Sequence, residues 1–431
     1  MALIDIDERM TIAAFALMLA GSFVWWGRND LTRPQVLLPS IWFAAVAVSQ
    51  LKVLHFETSW TPDVTFLIFV CPILFSLSAW ALGGGAIRPA VLPASFVLNG
   101  TRLRIISTAL VLAGALGLWL KSGLLGGIPL LSDSIDELRS AGGIKIPAYV
   151  TFLTNGFFLG SWFSLLNAVG SDCRHRVFDS AIIAVGILGV SASASRNTLL
   201  MMLAVPVIFL YQTGYFKKMS RRTVLGIAAI ILVMFSITSG LFFFRTGQHS
   251  DSAFEKRFYS ETVENTPTVL RPLLPVYLGV ATPFETLNRL VGNDSAIGPG
   301  TGTFSMPGIP PQISPFGPKR DFYLVSSSLS RPYYFNVATY IGGFFADGGR
   351  VLALAASILL GGLFGSVWRS LLARASLLGC AATAYLAYVV GFLLYENLIG
   401  FYTLAVVWDL AVICAALAVS SVRVAPLSDH D

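Results

Sequence analysis

Along almost its whole length the chain carries apolar runs of about 17 to 20 residues, without the alternation of a half-buried strand or the single stripe of a soluble helix. As a helix, each run covers about 30 Å of hydrocarbon. The pattern predicts eleven spans, at 10–26, 36–54, 63–82, 105–124, 147–170, 178–195, 197–215, 223–244, 351–368, 376–395 and 400–420. No internal repeat divides them, so a single integral-membrane domain is expected over 1–431. Between 245 and 350 the spans stop. There LRPLLPVYLGVATPFETLNRLVG predicts short helices that lie on the membrane or cap the bundle, and the Gly/Pro-rich IGPGTGTFSMPGIPPQISPFGPK forbids helix.

Composition agrees: 55% of residues are hydrophobic and 12% charged, where soluble domains carry about 25% charge. This is an all-α polytopic membrane protein by pattern. The N-terminal MALIDIDERM is acidic where a secretory signal is basic, and no small-residue cleavage site follows, so the first span is expected to be retained. Of the four cysteines, Cys71, Cys380 and Cys414 lie in apolar runs and Cys173 in a short basic loop, a spacing that suits neither a disulfide nor zinc. No Gly-rich nucleotide loop, Ser/His/Asp triad or metal-ligand cluster stands out. No cofactor, metal or nucleic acid is expected.

The net charge of +6 matters through its distribution. Alternate connections hold 14 basic residues on one side, among them Arg28, Arg33, Arg102, Arg104, Arg221, Arg222, Arg369 and Arg423, against six in the short segments opposite. The positive-inside rule makes the richer side cytoplasmic, with the N-terminus outside and the C-terminus inside. The segments 122–146 and 245–350 are then extracytoplasmic. The remaining nine basic residues fall in 245–350, and seven are arginines, including Arg245, Arg271, Arg289 and Arg331. The guanidinium fork binds phosphate or carboxylate bidentately. The same loop also offers ion-pair partners, among them Asp251, Glu255, Glu285 and Asp321.

In VSASASRNTLLMMLAVPVIFLY, Arg196 sits at the outer end of a tight helical hairpin. Burial in hydrocarbon costs an arginine roughly 2.5–3.5 kcal/mol, so it belongs at the interface, as a snorkelling anchor or an anion ligand. Arg139 closes the amphipathic part of GGIPLLSDSIDELRSAGG, which equally reads as an interfacial helix. YYFNVATYIGGFFADGG is apolar but lacks a basic flank, so it is expected to be re-entrant or flat, packed in protein. Its Tyr340 suits a sugar face or an aromatic belt. Outer-side groups able to deprotonate a hydroxyl are His249, Asp347 and Glu396; a solvated loop histidine and a hairpin-tip carboxylate are the plainer alternatives. Asp409 falls close to the cytoplasmic end of the last span, which leaves the span interiors nearly free of charge.

GGIPLL with a downstream arginine, Ser-Arg-Asn heading a helix, and FNVATY followed by FADGG resemble elements of the Wzy-type oligosaccharide repeat-unit (O-antigen) polymerases. The resemblance spans roughly 126–349, plus the layout of many spans with a large loop in the second half. Two departures stand out: Ser195-Arg196-Asn197 where the family often has Ser-Arg-Gly, and Asp347-Gly348-Gly349 where it often has Asp-Phe-Gly. Two Arg-x10-Gly spacings, Arg289 to Gly300 and Arg331 to Gly342, fall in the loop where the family carries that pattern, at about the number chance supplies.

The resemblance implies a GT-C-type glycosyltransferase architecture in a bacterial plasma membrane. It implies transfer of a nascent glycan from its polyprenyl-diphosphate carrier to the distal sugar of a new lipid-linked unit. Arg139, Arg196 and Arg245 would hold diphosphate; Arg271, Arg289, Arg331 and Tyr340 would guide glycan; and His249, Asp347 or Glu396 would be the base. A chain-length regulator and a flippase are implied partners. The alternatives are an O-antigen ligase on a similar scaffold and a sugar-lipid transporter, which would place ionisable groups at mid-membrane.

Overall fold

A computed structural model describes residues 2–28, 30–53, 57–84, 96–131, 146–170, 176–193, 196–213, 271–293, 304–305, 337–372, 377–396 and 398–423. Among them are eleven α-helices: α1 (Ala2–Trp26), α2 (Pro34–Ser49), α3 (Pro62–Gly83), α4 (Gly100–Leu125), α5 (Ala148–Gly170), α6 (Arg176–Ala192), α7 (Arg196–Gln212), α8 (Leu274–Gly292), α9 (Tyr340–Leu372), α10 (Leu377–Phe392) and α11 (Leu398–Ser420). Ten of them take up ten of the expected spans, and α8 is a helix foreseen within the long loop. The expected span at 223–244 lies outside the described residues, as does most of the Gly/Pro-rich stretch. The strands among the described residues, β1 (Phe96–Leu98) and β2 (Ser421–Arg423), form a short antiparallel ribbon with Leu98 opposite Ser421.

In α1, α3, α4 and α9 the helix is long and apolar enough to cross a bilayer, and four shorter apolar helices accompany them. Large apolar side chains stand exposed in rows, such as Leu112, Leu116 and Trp119 on α4 and Ile358, Leu359 and Leu363 on α9. A soluble monomer rarely leaves such patches uncovered. At this level the chain is a helical membrane protein.

The chain divides into two compact units. The first draws on Met1–Pro89, Ser252–Ser370 and Val389–Leu404, the second on Ala90–Asp251, Leu371–Tyr388 and Ala405–Asp431. In the first, α2 packs against α1, α3 and α8. Its core centres on Trp42, whose Nε1–H donates to the Ile68 carbonyl at 2.9 Å and whose ring meets Phe284 of α8 and Tyr340 of α9 edge-on, at 5.3 and 5.6 Å. Gly361 and Gly365 of α9 lie directly on the carbonyls of Phe75 and Ala79 of α3, a backbone-to-backbone approach that small residues permit between membrane helices. Helix α9 is kinked where Gly348 and Gly349 leave helical geometry, and Gly349, at φ 64, takes a conformation open mainly to glycine. A short limb, 340–347, thus joins a long limb starting at Arg350.

In the second unit α5 packs on α4, α6 and α7. Gly156 of α5 faces the Leu110 carbonyl of α4, and a Cβ at Gly160 would stand 2.6 Å from the Ser107 carbonyl. Gly126, left-handed at φ 75, ends α4 and donates its N–H to the Ser122 carbonyl. Pro129–Leu131 then forms a single 3-10 turn, so the start of the GGIPLL stretch acts as a helix stop.

Within each unit the connections sort as the alternation of spans requires. In the first, the 57–63 connection, α8, the α9 kink and the α10–α11 turn share one end: Arg350 pairs with Asp63, the Tyr277 hydroxyl bonds Glu57, and the Tyr340 N–H reaches the Leu393 carbonyl. Arg33 lies beside Trp80 at the other end, where Arg369 approaches Gly84. In the second unit Arg102, Arg104 and the ribbon containing Arg423 share an end, and Lys121 reaches the Ser193 carbonyl at the opposite one.

Candidate functional site

The end of the first unit where α8 docks holds most of the candidate side chains that are described. Helix α8 has one strongly polar edge, on which Tyr277, Glu285, Asn288 and Arg289 recur at helical spacing. That edge grips the α2–α3 connection. Glu285, almost fully buried, accepts the Thr58 N–H at 3.1 Å, the Thr58 hydroxyl at 2.9 Å and Arg289 Nε at 2.9 Å. Asn288 donates to Thr58 Oγ1 at 2.9 Å and to the Ser59 carbonyl at 3.2 Å. The Tyr277 hydroxyl donates to Glu57 at 2.7 Å and accepts the Val53 N–H at 3.1 Å. Burial, with the Glu57 carboxylate beside it, pushes the Tyr277 phenol above its ordinary range, so it remains a donor at working pH. Next to that edge on α8, Phe284 packs between Trp42 and Trp60.

The short limb of α9 brings the next group. Tyr340 is fully buried; its hydroxyl shares a hydrogen bond of 2.9 Å with Ser357 Oγ, and its ring lies on Trp42. Asp347, at the last position before the kink, accepts the Phe304 N–H at 3.1 Å and the Ser305 N–H at 2.6 Å, one on each oxygen. Its carboxylate thereby fastens a point of the long loop onto α9. Glu396 sits on the α10–α11 turn, where its N–H donates to the Phe392 carbonyl at 3.0 Å. The bond from Tyr340 to Leu393 joins that turn to the short limb. Asp347 and Glu396 are 8% and 6% exposed, so both carboxyls are sheltered at one end of the unit.

The remaining candidates differ in what the structure shows of them. Arg289 is committed to Glu285, the ion-pair alternative for that arginine. Arg271 opens a 3-10 turn, Arg271–Leu273, at the foot of α8. Arg196 begins α7, as the position of Ser-Arg-Asn suggests, and its backbone alone is described. Arg139, Arg245, His249 and Arg331 lie outside the described residues. Tyr340 packs in the core, so stacking on a sugar would require that core to open. Among the described residues no group of three His, Cys, Asp or Glu is placed to hold a metal.

Sequence reasoning offered Glu285 as an ion-pair partner but missed three arrangements: its bonds to Thr58, the exposed Arg350–Asp63 pair, and a buried cluster in the second unit. In that cluster the Asp409 carboxylate accepts Asn155 Nδ2 at 3.2 Å and the Tyr385 hydroxyl at 2.9 Å. Asp409 lies midway along α11 rather than close to its cytoplasmic end, which corrects the expectation of nearly charge-free span interiors. Glu285-x-x-Asn288-Arg289 inside a largely apolar helix was a signal for the first arrangement.

Fold and site together define a helical membrane protein with two sheltered carboxyls at one end of a helix bundle. Comparison with protein-family models, curated proteins and solved structures gave no match.

Proposed function

We propose that the protein is an integral-membrane glycosyltransferase that polymerises polyprenyl-diphosphate-linked oligosaccharide repeat units at the outer face of a bacterial plasma membrane. The sequence resemblance through Gly126–Gly127, Ser195–Asn197 and FNVATY…FADGG supports this reading. The structural observation that carries it is the shelter of Asp347 and Glu396 at the end of the first unit, where the packed limb 340–347 meets the kink at Gly348 and Gly349. A sheltered carboxyl suits the removal of a proton from an acceptor hydroxyl; His249 is the alternative base. Arg139, Arg196 and Arg245 bind the diphosphate and stabilise the charge that gathers on it as the sugar departs. The 14-to-6 bias in basic residues sets the carboxyl end of the first unit outside.

Deleting the gene and resolving surface polysaccharide on a gel tests the proposal. Single repeat units on their acceptor, with the ladder of longer chains gone, are expected. Polymer accumulating on the carrier lipid would replace the reading with a ligase, and loss of all outer glycan with a transporter. For the proposed diphosphate ligand Arg196, Arg196→Lys keeps the charge and loses the fork. Loss of one charge-assisted bond slows turnover roughly ten- to a hundredfold, whereas a snorkelling anchor tolerates lysine.

A further inference from the structure

We propose that Arg350 is a ligand for a lipid diphosphate, held by Asp63 until the lipid arrives; this rests on the function proposed above. Arg350 opens the long limb of α9 immediately after the kink, at the end of the unit that holds Asp347 and Glu396. Its side chain is 53% exposed and that of its partner Asp63, at the start of α3, is 46% exposed. An ion pair so open to solvent contributes little. A diphosphate, with more charge than one carboxylate and oxygens spaced for the guanidinium fork, displaces Asp63.

What lies below the pair selects a lipid over a free anion. Val351, Ile358, Leu359 and Leu363 follow Arg350 on one face of α9, and all four are exposed. They form an apolar track that starts one residue after Arg350 and runs along a helix long and apolar enough to cross a bilayer. A prenyl chain laid along it places its diphosphate at Arg350. Charge at the head and an uncharged stripe behind it match a prenyl diphosphate in both halves.

The full-length protein in nanodiscs of zwitterionic lipid is titrated with geranylgeranyl diphosphate, with inorganic pyrophosphate and phosphatidylglycerol as competitors. Arg350→Gln is expected to weaken binding of the prenyl diphosphate roughly ten- to a hundredfold at an unchanged melting temperature. Asp63→Asn is expected to tighten it by up to about fivefold, because the internal competitor is gone. Pyrophosphate competing as well as the prenyl diphosphate would reduce the site to an adventitious ion only. Equal competition by phosphatidylglycerol would make it a general phospholipid contact. Binding to the wild type that ignores Arg350→Gln would overturn the assignment of Arg350 and leave the polymerase reading standing. Failure of the wild type to bind prenyl diphosphate would end both.

Discussion

Replacing Glu285 with glutamine tests whether the polar edge of α8 is a clamp on the α2–α3 connection or a surface awaiting a ligand. The wild-type carboxylate is 1% exposed and takes three hydrogen bonds, two from Thr58 and one from Arg289. Glutamine keeps one acceptor oxygen and turns the other into an amide donor facing the Thr58 N–H. It also strips the counter-charge from Arg289, whose side chain is only 19% exposed. Hydrogen bonds to charged groups contribute about 1.5–3 kcal/mol each, and removing one partner of a fully buried pair costs about 3–5 kcal/mol. The partial exposure of Arg289 brings the expected loss to about 2–4 kcal/mol, or roughly 30- to 1000-fold in local opening. Hydrogen exchange at Thr58 to Thr61 in detergent-solubilised protein reads that opening directly. Arg289→Gln leaves Glu285 with two neutral donors and should cost less, and the double variant should recover about 1–3 kcal/mol of coupling. Additive single effects, or unchanged exchange at Thr58, would refute the clamp. Loss of polymer in Arg289→Gln with exchange intact would return Arg289 to the glycan.

Gly156→Ala pushes a methyl onto the Leu110 carbonyl and should lower the melting temperature, whereas Gly123→Ala, with nothing within 4 Å of its new methyl, should leave it unchanged or raise it; equal effects would count against backbone-to-backbone packing of α4 and α5. The Tyr277 phenol is raised in the folded state, so its contribution to stability is complete below about pH 10, the unfolded value, and falls above it as only the unfolded chain ionises. Melting temperatures between pH 9 and 11 should therefore fall more steeply for the wild type than for Tyr277→Phe, and parallel profiles would contradict the burial. In a cysteine-free background, an impermeant thiol reagent applied to whole cells should label Ser59→Cys and spare Ser370→Cys; the opposite pattern would invert the orientation.

The helices were legible because hydrocarbon imposes a simple requirement, a long uncharged run, and the ten runs that fall among the described residues all coincide with helices. The ends were less legible. Val351 looked like the start of a span because the run of small and apolar residues before it has no basic flank, yet the chain is already helical from Tyr340, and only two consecutive glycines mark where the axis breaks. The roles of individual charges were the least legible, because partners lie far apart in sequence. Thr58 and Glu285 are 227 residues apart and Arg350 and Asp63 287 apart, and no spacing rule reaches across such distances. Asp347 was visible as a carboxylate beside glycines, but its bonds to Phe304 and Ser305 depend on a loop whose path the sequence does not encode locally.

Asp409 bears on the transporter alternative. An ionisable residue within a span is by default a functional candidate, since an uncompensated carboxylate in hydrocarbon is costly. Its oxygens are engaged from two other helices, by Asn155 of α5 and Tyr385 of α10. Aromatic rings close around that junction, with Phe152 stacked on Trp408 at 5.5 Å and Phe158 tilted against Tyr385 at 6.5 Å. Interhelical hydrogen bonds in membranes contribute about 0.6 kcal/mol each on average. The network therefore ties three helices together by only a kcal/mol or two, a contribution typical of polar glue between helices. A transport step would require Asp409 to exchange both partners for water or solute, beside the two aromatic pairs that flank it. The case against a transporter thus shifts from the absence of charge inside the spans to the engagement of the one carboxylate found at the middle of α11.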